Sequence, residues 1–145
     1  MSKLTFRLKV INRCGRIFKN ELLQPLELVS REAEIILAID RQPGRSQDSI
    51  AEEMFIDKSG VARCLASMEE RGLVLRTVSP TDRRVTLVNL APPAQTLVPQ
   101  IRRINQQWSD LLTQSLSPEE AQQLQDTMDH VCQRAREIAG RRKKP

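Results

Sequence analysis

Aromatic side chains and histidine are scarce in this sequence. Its 145 residues include no tyrosine, one tryptophan, three phenylalanines and one histidine. A core with so few rings must be aliphatic, and we expect it to be helical. The single histidine, His130, excludes a histidine-rich metal site and disfavours Ser/His or Cys/His catalysis. The sequence therefore predicts no metal, no cofactor and no enzymatic activity.

Long apolar runs and paired cysteines are also missing. No run approaches the roughly 20 apolar residues of a membrane span, and the first ten residues interleave charged with apolar side chains. Cys14, Cys64 and Cys132 lack the short spacing of a zinc site and the density of a disulfide scaffold. We therefore expect a cytoplasmic protein with reduced thiols.

The net charge of +5 is concentrated at the two ends of the chain. Residues 1–19 carry six basic side chains and no acidic one, and residues 134–145 carry six basic side chains and one acidic one. The middle of the chain is therefore acidic, so bulk charge does not locate a nucleic-acid site. Residues 141–145 are predicted to form a disordered basic tail.

Helical periodicity dominates the first half of the chain. Residues 4–22 show apolar positions at steps of four and three, which predict a helix with a narrow apolar seam. Ser30 is predicted to cap a second helix, which is apolar on more than one face and therefore central. Ser46 and Asp57 cap two shorter helices, and Gly72 ends the second of them. Two short helices joined by a tight turn outline a helix-turn-helix.

The period then changes to that of β-structure. Leu73–Val78 and Val85–Leu90 are aliphatic and β-branched, and the polar loop Ser79–Arg84 separates them. This pattern predicts a β-hairpin with a charged tip. A helix-turn-helix followed by such a hairpin is a winged helix. The predicted fold is therefore mostly α with a small β-hairpin wing (α+β).

Helical periodicity returns after the hairpin. Pro92 and Pro93 suit the first turn of a helix, whereas Pro99 should kink or restart it. Trp108 lies on the seam of this helix and is interpreted as a packing anchor, with ligand stacking as the alternative. Ser117-Pro-Glu-Glu120 is a capping box that begins the last helix.

The terminal helices carry thin seams of the kind that helices use to pair. Residues 1–28 and 92–140 are therefore predicted to form a helical dimerisation region around a winged helix at 29–91. The alternative is an intramolecular bundle without a dimer. The residues predicted at the dimer interface are Leu4, Leu8, Ile11, Leu124, Met128, Val131, Ala135 and Ile138.

Several motifs resemble those of the MarR (multiple antibiotic resistance regulator) family. They are Pro43-Gly-Arg-Ser-Gln47, Asp57-Lys-Ser-Gly-Val-Ala-Arg63, Glu69-Glu-Arg-Gly-Leu-Val74, Asp82-Arg-Arg84 and Leu116-Ser-Pro-Glu-Glu120. The resemblance implies a dimeric winged-helix repressor or activator that binds a short palindrome. It also implies release by a small aromatic ligand or by cysteine oxidation. The sequence departs from the family pattern at Ala62, Cys64 and Ala91-Pro-Pro-Ala94, which leaves the operator sequence and the inter-domain geometry open.

The helix Asp57–Arg71 is the candidate recognition helix, with its N-terminal end in the major groove. Arg63 is the candidate base contact, with a phosphate contact as the alternative. Arg83 and Arg84 would reach the minor groove, and Asp82 would fix the wing. The predicted DNA-binding residues are Ser46, Gln47, Lys58, Ser59, Ala62, Arg63, Arg83 and Arg84.

We therefore expect a sequence-specific transcriptional regulator, a repressor, that binds double-stranded DNA at a palindromic operator as a homodimer and is released by a small ligand. One alternative is a winged-helix protein-interaction module. Another is a redox sensor acting through Cys14, although the hydroperoxide-sensing branch of the family relies on tyrosines that this chain lacks. Cys64 is interpreted as a small core residue of the recognition helix and Cys132 as a residue of the last helix, and buried thiols are usually inert.

Overall fold

The computed structural model describes residues 2–142. The chain divides into two compact units, with the boundary between Trp108 and Ser109. The predicted fold class, mostly α with a small wing, is confirmed. The elements are α1 (Lys3–Leu23), a 3₁₀ turn (Gln24–Leu26), α2 (Ser30–Arg41), β1 (Arg45–Ser46), α3 (Gln47–Met54), α4 (Lys58–Glu70), β2 (Val74–Val78), β3 (Thr86–Leu90), α5 (Pro92–Thr113) and α6 (Pro118–Arg142).

Helix α6 includes the first two residues of the predicted basic tail, and residues 143–145 lie outside the described part of the chain. Among residues 2–142, no helix is long and apolar enough to cross a membrane.

The sheet has one strand more than the sequence predicted. Its order is β1-β3-β2, and both pairings are antiparallel. Arg45 of β1 pairs with Val88 of β3, and Val74 of β2 pairs with Leu90 of β3. The predicted two-stranded hairpin is therefore correct but incomplete, because β1 is only two residues long and shows no alternation. Through β1, the sheet joins the start of α3 to the wing.

The core of the first unit is aliphatic, as the sequence predicted. Its fully buried side chains include Ile35, Ile36 and Ile39 of α2, with Leu65 and Met68 of α4. Helix α2 lies in the middle of this cluster, which explains why it is apolar on more than one face. The core therefore holds α2, α4 and the sheet together.

Most predicted helix starts are confirmed. The Ser46 hydroxyl accepts a hydrogen bond from the Ser49 amide at 3.1 Å, which caps α3. At the start of α6, Ser117 and Glu120 form the predicted reciprocal capping box, at 2.9 and 3.1 Å. Helix α4 ends before Gly72, whose φ of +73° suits a residue without a side chain.

The predicted cap of α2 is wrong. Ser30 does not cap α2 but is its first residue, and the Val29 amide is satisfied by the Glu32 carboxylate at 3.1 Å. Of the two outcomes predicted at Pro99, a restart is excluded, because helix α5 continues through this residue. The Pro99 side chain is exposed, so its ring meets solvent.

A close contact joins α1 and α5 within the first unit. Trp108 lies against Gly15, where an added Cβ would be 3.0 Å from the indole Nε1. The rings of Phe18 and Trp108 also pack at a centroid distance of 5.3 Å. Gly15 therefore lets the indole approach the backbone of α1.

Replacing Gly15 with leucine should lower the free energy of unfolding by about 1–3 kcal/mol, because the new side chain must displace Trp108. Urea unfolding followed by the fluorescence of this single tryptophan measures the effect. Gly140→Ala is the control, since no atom lies within 4 Å of the position of its new Cβ. Equal or greater stability of Gly15→Leu would contradict the packing described.

Candidate nucleic-acid interface

Helices α3 and α4 are joined by a short turn at Phe55 and Ile56. Phe55 has a φ of +53° and donates its amide to the Glu52 carbonyl at 3.3 Å. The Ile56 amide donates to the Ala51 carbonyl at 3.1 Å. These bonds end α3 with a left-handed residue, so the chain turns sharply into α4 and forms the predicted helix-turn-helix.

The two faces of α4 differ in polarity. Val61, Leu65 and Met68 have no exposed surface. The predicted DNA-contacting residues lie off that face, with Lys58, Ser59 and Arg63 exposed and Ala62 half-buried. The structure thus brings these four residues together on the solvent side of one helix.

Asp57 organises the first turn of α4. Its carboxylate accepts hydrogen bonds from the Ser59 hydroxyl at 2.5 Å and from the Gly60 amide at 2.8 Å. These two bonds hold the pKa of Asp57 below its ordinary value. The carboxylate also places negative charge at the positive end of the helix. Asp57 therefore disfavours a phosphate at this terminus and leaves the polar face of α4 as the candidate contact surface.

Lys58 is paired with a neighbouring acid. Its ammonium lies 3.1 Å from the Asp48 carboxylate of α3, and both side chains are mostly exposed. Such an exposed pair contributes little stability. It does hold the lysine toward the start of α3, where Ser46 and Gln47 lie half-buried. The first turns of both helices thus lie close to one cation.

A second arginine of this region has a role that the sequence did not reveal. Arg45 of β1 is buried and donates to the Glu53 carboxylate at 2.7 Å, the Ser49 hydroxyl at 2.9 Å and the Ala38 carbonyl at 3.1 Å. Burial alone would raise the pKa of Glu53, but hydrogen bonds from Arg41 and Arg45 hold it below its ordinary value. Arg45 therefore braces α3 against α2 and is not available for DNA.

The two wing arginines are in different environments. Asp82 accepts from the Arg84 side chain through both carboxylate oxygens, each at 3.2 Å, and from the Arg84 amide at 3.0 Å. The Arg84 side chain lowers the pKa of Asp82, and the Arg84 amide adds to this effect. Arg83 is exposed beside this turn. This is the arrangement that a wing-structuring role of Asp82 requires.

A cavity of about 720 Å³ lies beside α4. It is polar, and it brings Arg16 of α1, Arg31 of α2 and Arg63 of α4 to one space, with Glu34 as the acidic member. The sequence could not identify such a cavity, because its walls come from three separate segments.

The three cysteines differ in exposure. Cys14 is exposed on α1, and Cys132 lies on the last helix, as predicted, and is exposed there. Cys64 is half-buried beside the core, and burial raises the pKa of its thiol. Within the described range 2–142, no group of three His, Cys, Asp or Glu side chains is placed to hold a metal ion.

The residues predicted at the dimer interface are largely exposed in the single chain. On α1 they are Leu4, Leu8 and Ile11, with 56%, 36% and 46% of their surface accessible. On α6, Leu124, Val131, Ala135 and Ile138 are exposed and Met128 is half-buried. Each helix therefore presents an apolar stripe that its own unit leaves uncovered.

Helices α3 and α4 with the hairpin define a winged helix-turn-helix. A family model described as MarR family matches residues 27–85, which include α2, α3, α4 and β2 but not strand β3 of the hairpin. The predicted resemblance to the MarR family is thus confirmed over these residues.

Similar proteins agree with this assignment. A Thauera aromatica protein named for transcriptional regulation of the hcr operon is 37% identical over 41% of this chain and 36% of its own length. The match thus spans about a third of that relative. The crystal structure of MarR is 27% identical, with a TM-score of 0.88 over 97% of this chain and 98% of its own. A Listeria monocytogenes protein named for the family and complexed with 26-mer DNA is 18% identical, with a TM-score of 0.88 over 100% and 98%.

The charge of Asp57 should stabilise the fold in a pH-dependent way. Asparagine caps helices nearly as well, so Asp57→Asn removes mainly the charge. Because the pKa of Asp57 is lowered in the folded state, the added stability of the wild type is present above its ordinary value of 3.8 and is lost as pH falls through the lowered value.

Urea unfolding midpoints of both proteins between about pH 7 and about pH 3 test this expectation. Asp129→Asn, which removes an exposed carboxylate from α6, is the control. If the midpoint of the wild type rose relative to that of Asp57→Asn as the pH falls, the expectation would be contradicted.

Proposed function

We propose that this protein is a sequence-specific DNA-binding transcriptional regulator. The observation that carries the proposal is the polar face of α4, where Lys58, Ser59 and Arg63 are exposed opposite a fully buried apolar face. A helix of this kind can lie in the major groove, where base pairs are distinguishable. The DNA-bound Listeria structure with the same fold supports this arrangement.

Each polar residue has a distinct role in the proposed complex. Arg63 would pair with a guanine edge, since a guanidinium donates to two acceptors at once. Ser46 and Gln47 would contact phosphate at the start of α3. Arg83 is the better candidate for the minor groove, because Asp82 already holds the Arg84 side chain. Arg84 would then contact the backbone beside it.

The protein would act as a homodimer. Exposed apolar stripes on α1 and α6 would be covered by a second copy, as the thin seams predict. A two-fold axis would place the recognition helices about 34 Å apart, one helical turn of DNA. The operator would therefore be a palindrome, and occupation of a promoter by such a dimer would repress transcription.

The cavity beside α4 supports control by a small molecule. Arg63 lines it together with Arg16 and Arg31, so an occupant that engages Arg63 would compete with DNA. A small anionic aromatic compound fits three arginines in a partly apolar space. Its binding should release the DNA.

The alternative function is a protein-interaction module, which would use the fold without the exposed cations of α4 and the wing. Selection of duplexes from a pool of random DNA separates the two functions, because an interaction module would enrich no duplex from that pool.

Arg63→Ala should lower affinity for the selected duplex at least about thirtyfold, because each subunit of the dimer loses one base-reading contact. The double variant Arg83→Ala/Arg84→Ala should lose a similar amount. Fluorescence anisotropy with a duplex that the wild type selects from random DNA measures both. Arg103→Ala, which removes an exposed arginine of α5, should bind normally. Normal DNA binding by both Arg63→Ala and the wing variant would contradict the proposed mechanism.

Light scattering at micromolar concentration should show a dimer of the wild type and a monomer of Leu8→Glu/Ile11→Glu. Two carboxylates on the α1 stripe would be desolvated without partners in the dimer. Ile17→Glu is the matched control, since Ile17 is also exposed on α1 but lies off the seam. A monomeric wild type, or a dimer that survives the double substitution, would rule out this interface.

A further inference from the structure

The C-terminal end of α4 is tied to the segment that joins α1 to α2. Arg71 follows the last residue of α4. One of its guanidinium nitrogens donates a hydrogen bond to the Glu32 carboxylate at 2.6 Å. Its other terminal nitrogen donates to the Glu27 carbonyl. Both acceptors lie at the start of α2 or just before it, so a single side chain joins the recognition helix to the end of the α1 connection.

The acceptor side of this tie is itself fixed. The Glu32 side chain is only 10% exposed, and its second oxygen accepts the Val29 amide at 3.1 Å. Glu27 has a φ of +57°, in the left-handed region that side chains rarely adopt. The hydrogen bond from Arg71 to its carbonyl therefore supports a strained turn at a defined place.

A tie of this kind specifies orientation more than it adds stability. The cost of burying the Glu32 charge offsets part of the attraction, and the Arg71 side chain remains 37% exposed, but the geometry that the pair requires is strict. Val61, Leu65 and Met68 hold α4 in the core through apolar contacts, and apolar burial is not directional. Other polar contacts of α4 run to α3 and to the wing, whereas Arg71 and Glu32 join its end to the connection between α1 and α2. Arg71 and Glu32 therefore fix a tilt that the core alone leaves loose.

The consequence for DNA recognition follows from the length of the helix. Arg63 lies eight residues before Arg71, or about 12 Å along the helix axis. A tilt of about 5° about the C-terminal end would move Arg63 by about 1 Å, twice the tolerance of about 0.5 Å for a preorganised polar contact.

We propose that Arg71 is a positioning residue that, through Glu32 and the Glu27 carbonyl, sets the tilt of α4 relative to the α1 connection and thereby the sequence specificity of DNA binding. This inference rests on the proposed function. Arg71 need not touch a base, since it acts through the placement of Arg63.

The test compares affinity for the duplex that the wild type selects from random DNA with affinity for a scrambled duplex of the same composition. Arg71→Gln and Glu32→Gln should each lower the ratio of the two affinities at least about tenfold, the loss expected for a misplaced base contact. Arg41→Gln is the matched control, because it removes the same charge and also breaks an ion pair, at 2.9 Å to Glu53. Its ratio should equal that of the wild type.

Urea unfolding of each variant shows whether it is folded under the binding conditions. If Arg71→Gln is not folded, Arg71→Lys takes its place, since lysine keeps the charge but cannot donate to both acceptors in the fork geometry of arginine. It should also lower the ratio.

If the folded Arg71 and Glu32 variants keep the wild-type ratio of the two affinities, this proposal is wrong, whereas the proposed function stands. Failure of the wild type to enrich any sequence would overturn the proposed function and this inference with it.

Discussion

The burial of one face of α4 in the aliphatic core is the constraint on which the interface depends. Val61, Leu65 and Met68 are fully buried. Burial of their apolar surface stabilises the fold by about 25 cal/mol per Å². Because a helix has fixed periodicity, burying these three residues leaves Lys58, Ser59 and Arg63 on the solvent side. The polar surface is thus a consequence of packing.

Charged groups then fix what the core leaves adjustable. Arg45 braces the start of α3, and Asp57 closes the first turn of α4. Arg71 holds the other end of the same helix. In a core with few rings, such directional contacts supply the orientation that interlocking aromatic side chains provide elsewhere. The same division recurs in the wing, where Asp82 shapes the turn beside Arg83.

Local patterns predicted much of this architecture from the sequence. The periods of α1, α2 and α4, the caps at Ser46 and Asp57 and the two long strands follow from neighbouring residues, and the structure confirms them. Strand β1 escaped prediction because two residues carry no period.

The remaining features depend on residues far apart in the chain. Arg71 and Glu32 are 39 residues apart, so no local pattern announces their contact. The cavity beside Arg63 likewise needs three segments to exist. At the start of α2, either the Ser30 hydroxyl or the Glu32 carboxylate could have accepted a backbone amide. The sequence alone does not show that Glu32 is the acceptor. The sequence therefore predicted the exposed cations of the site but not the contacts that orient them.

The central claim, that Arg63 on α4 reads a guanine in the major groove, is tested most directly by methylation interference on the selected duplex. Methylation of guanine N7 blocks the acceptor that an arginine uses there. We predict that N7 methylation in both half-sites prevents binding of the wild type, and that Arg63→Ala becomes insensitive at one guanine in each half-site. Interference that is identical in the wild type and the variant, or absent from the major groove, would contradict the account.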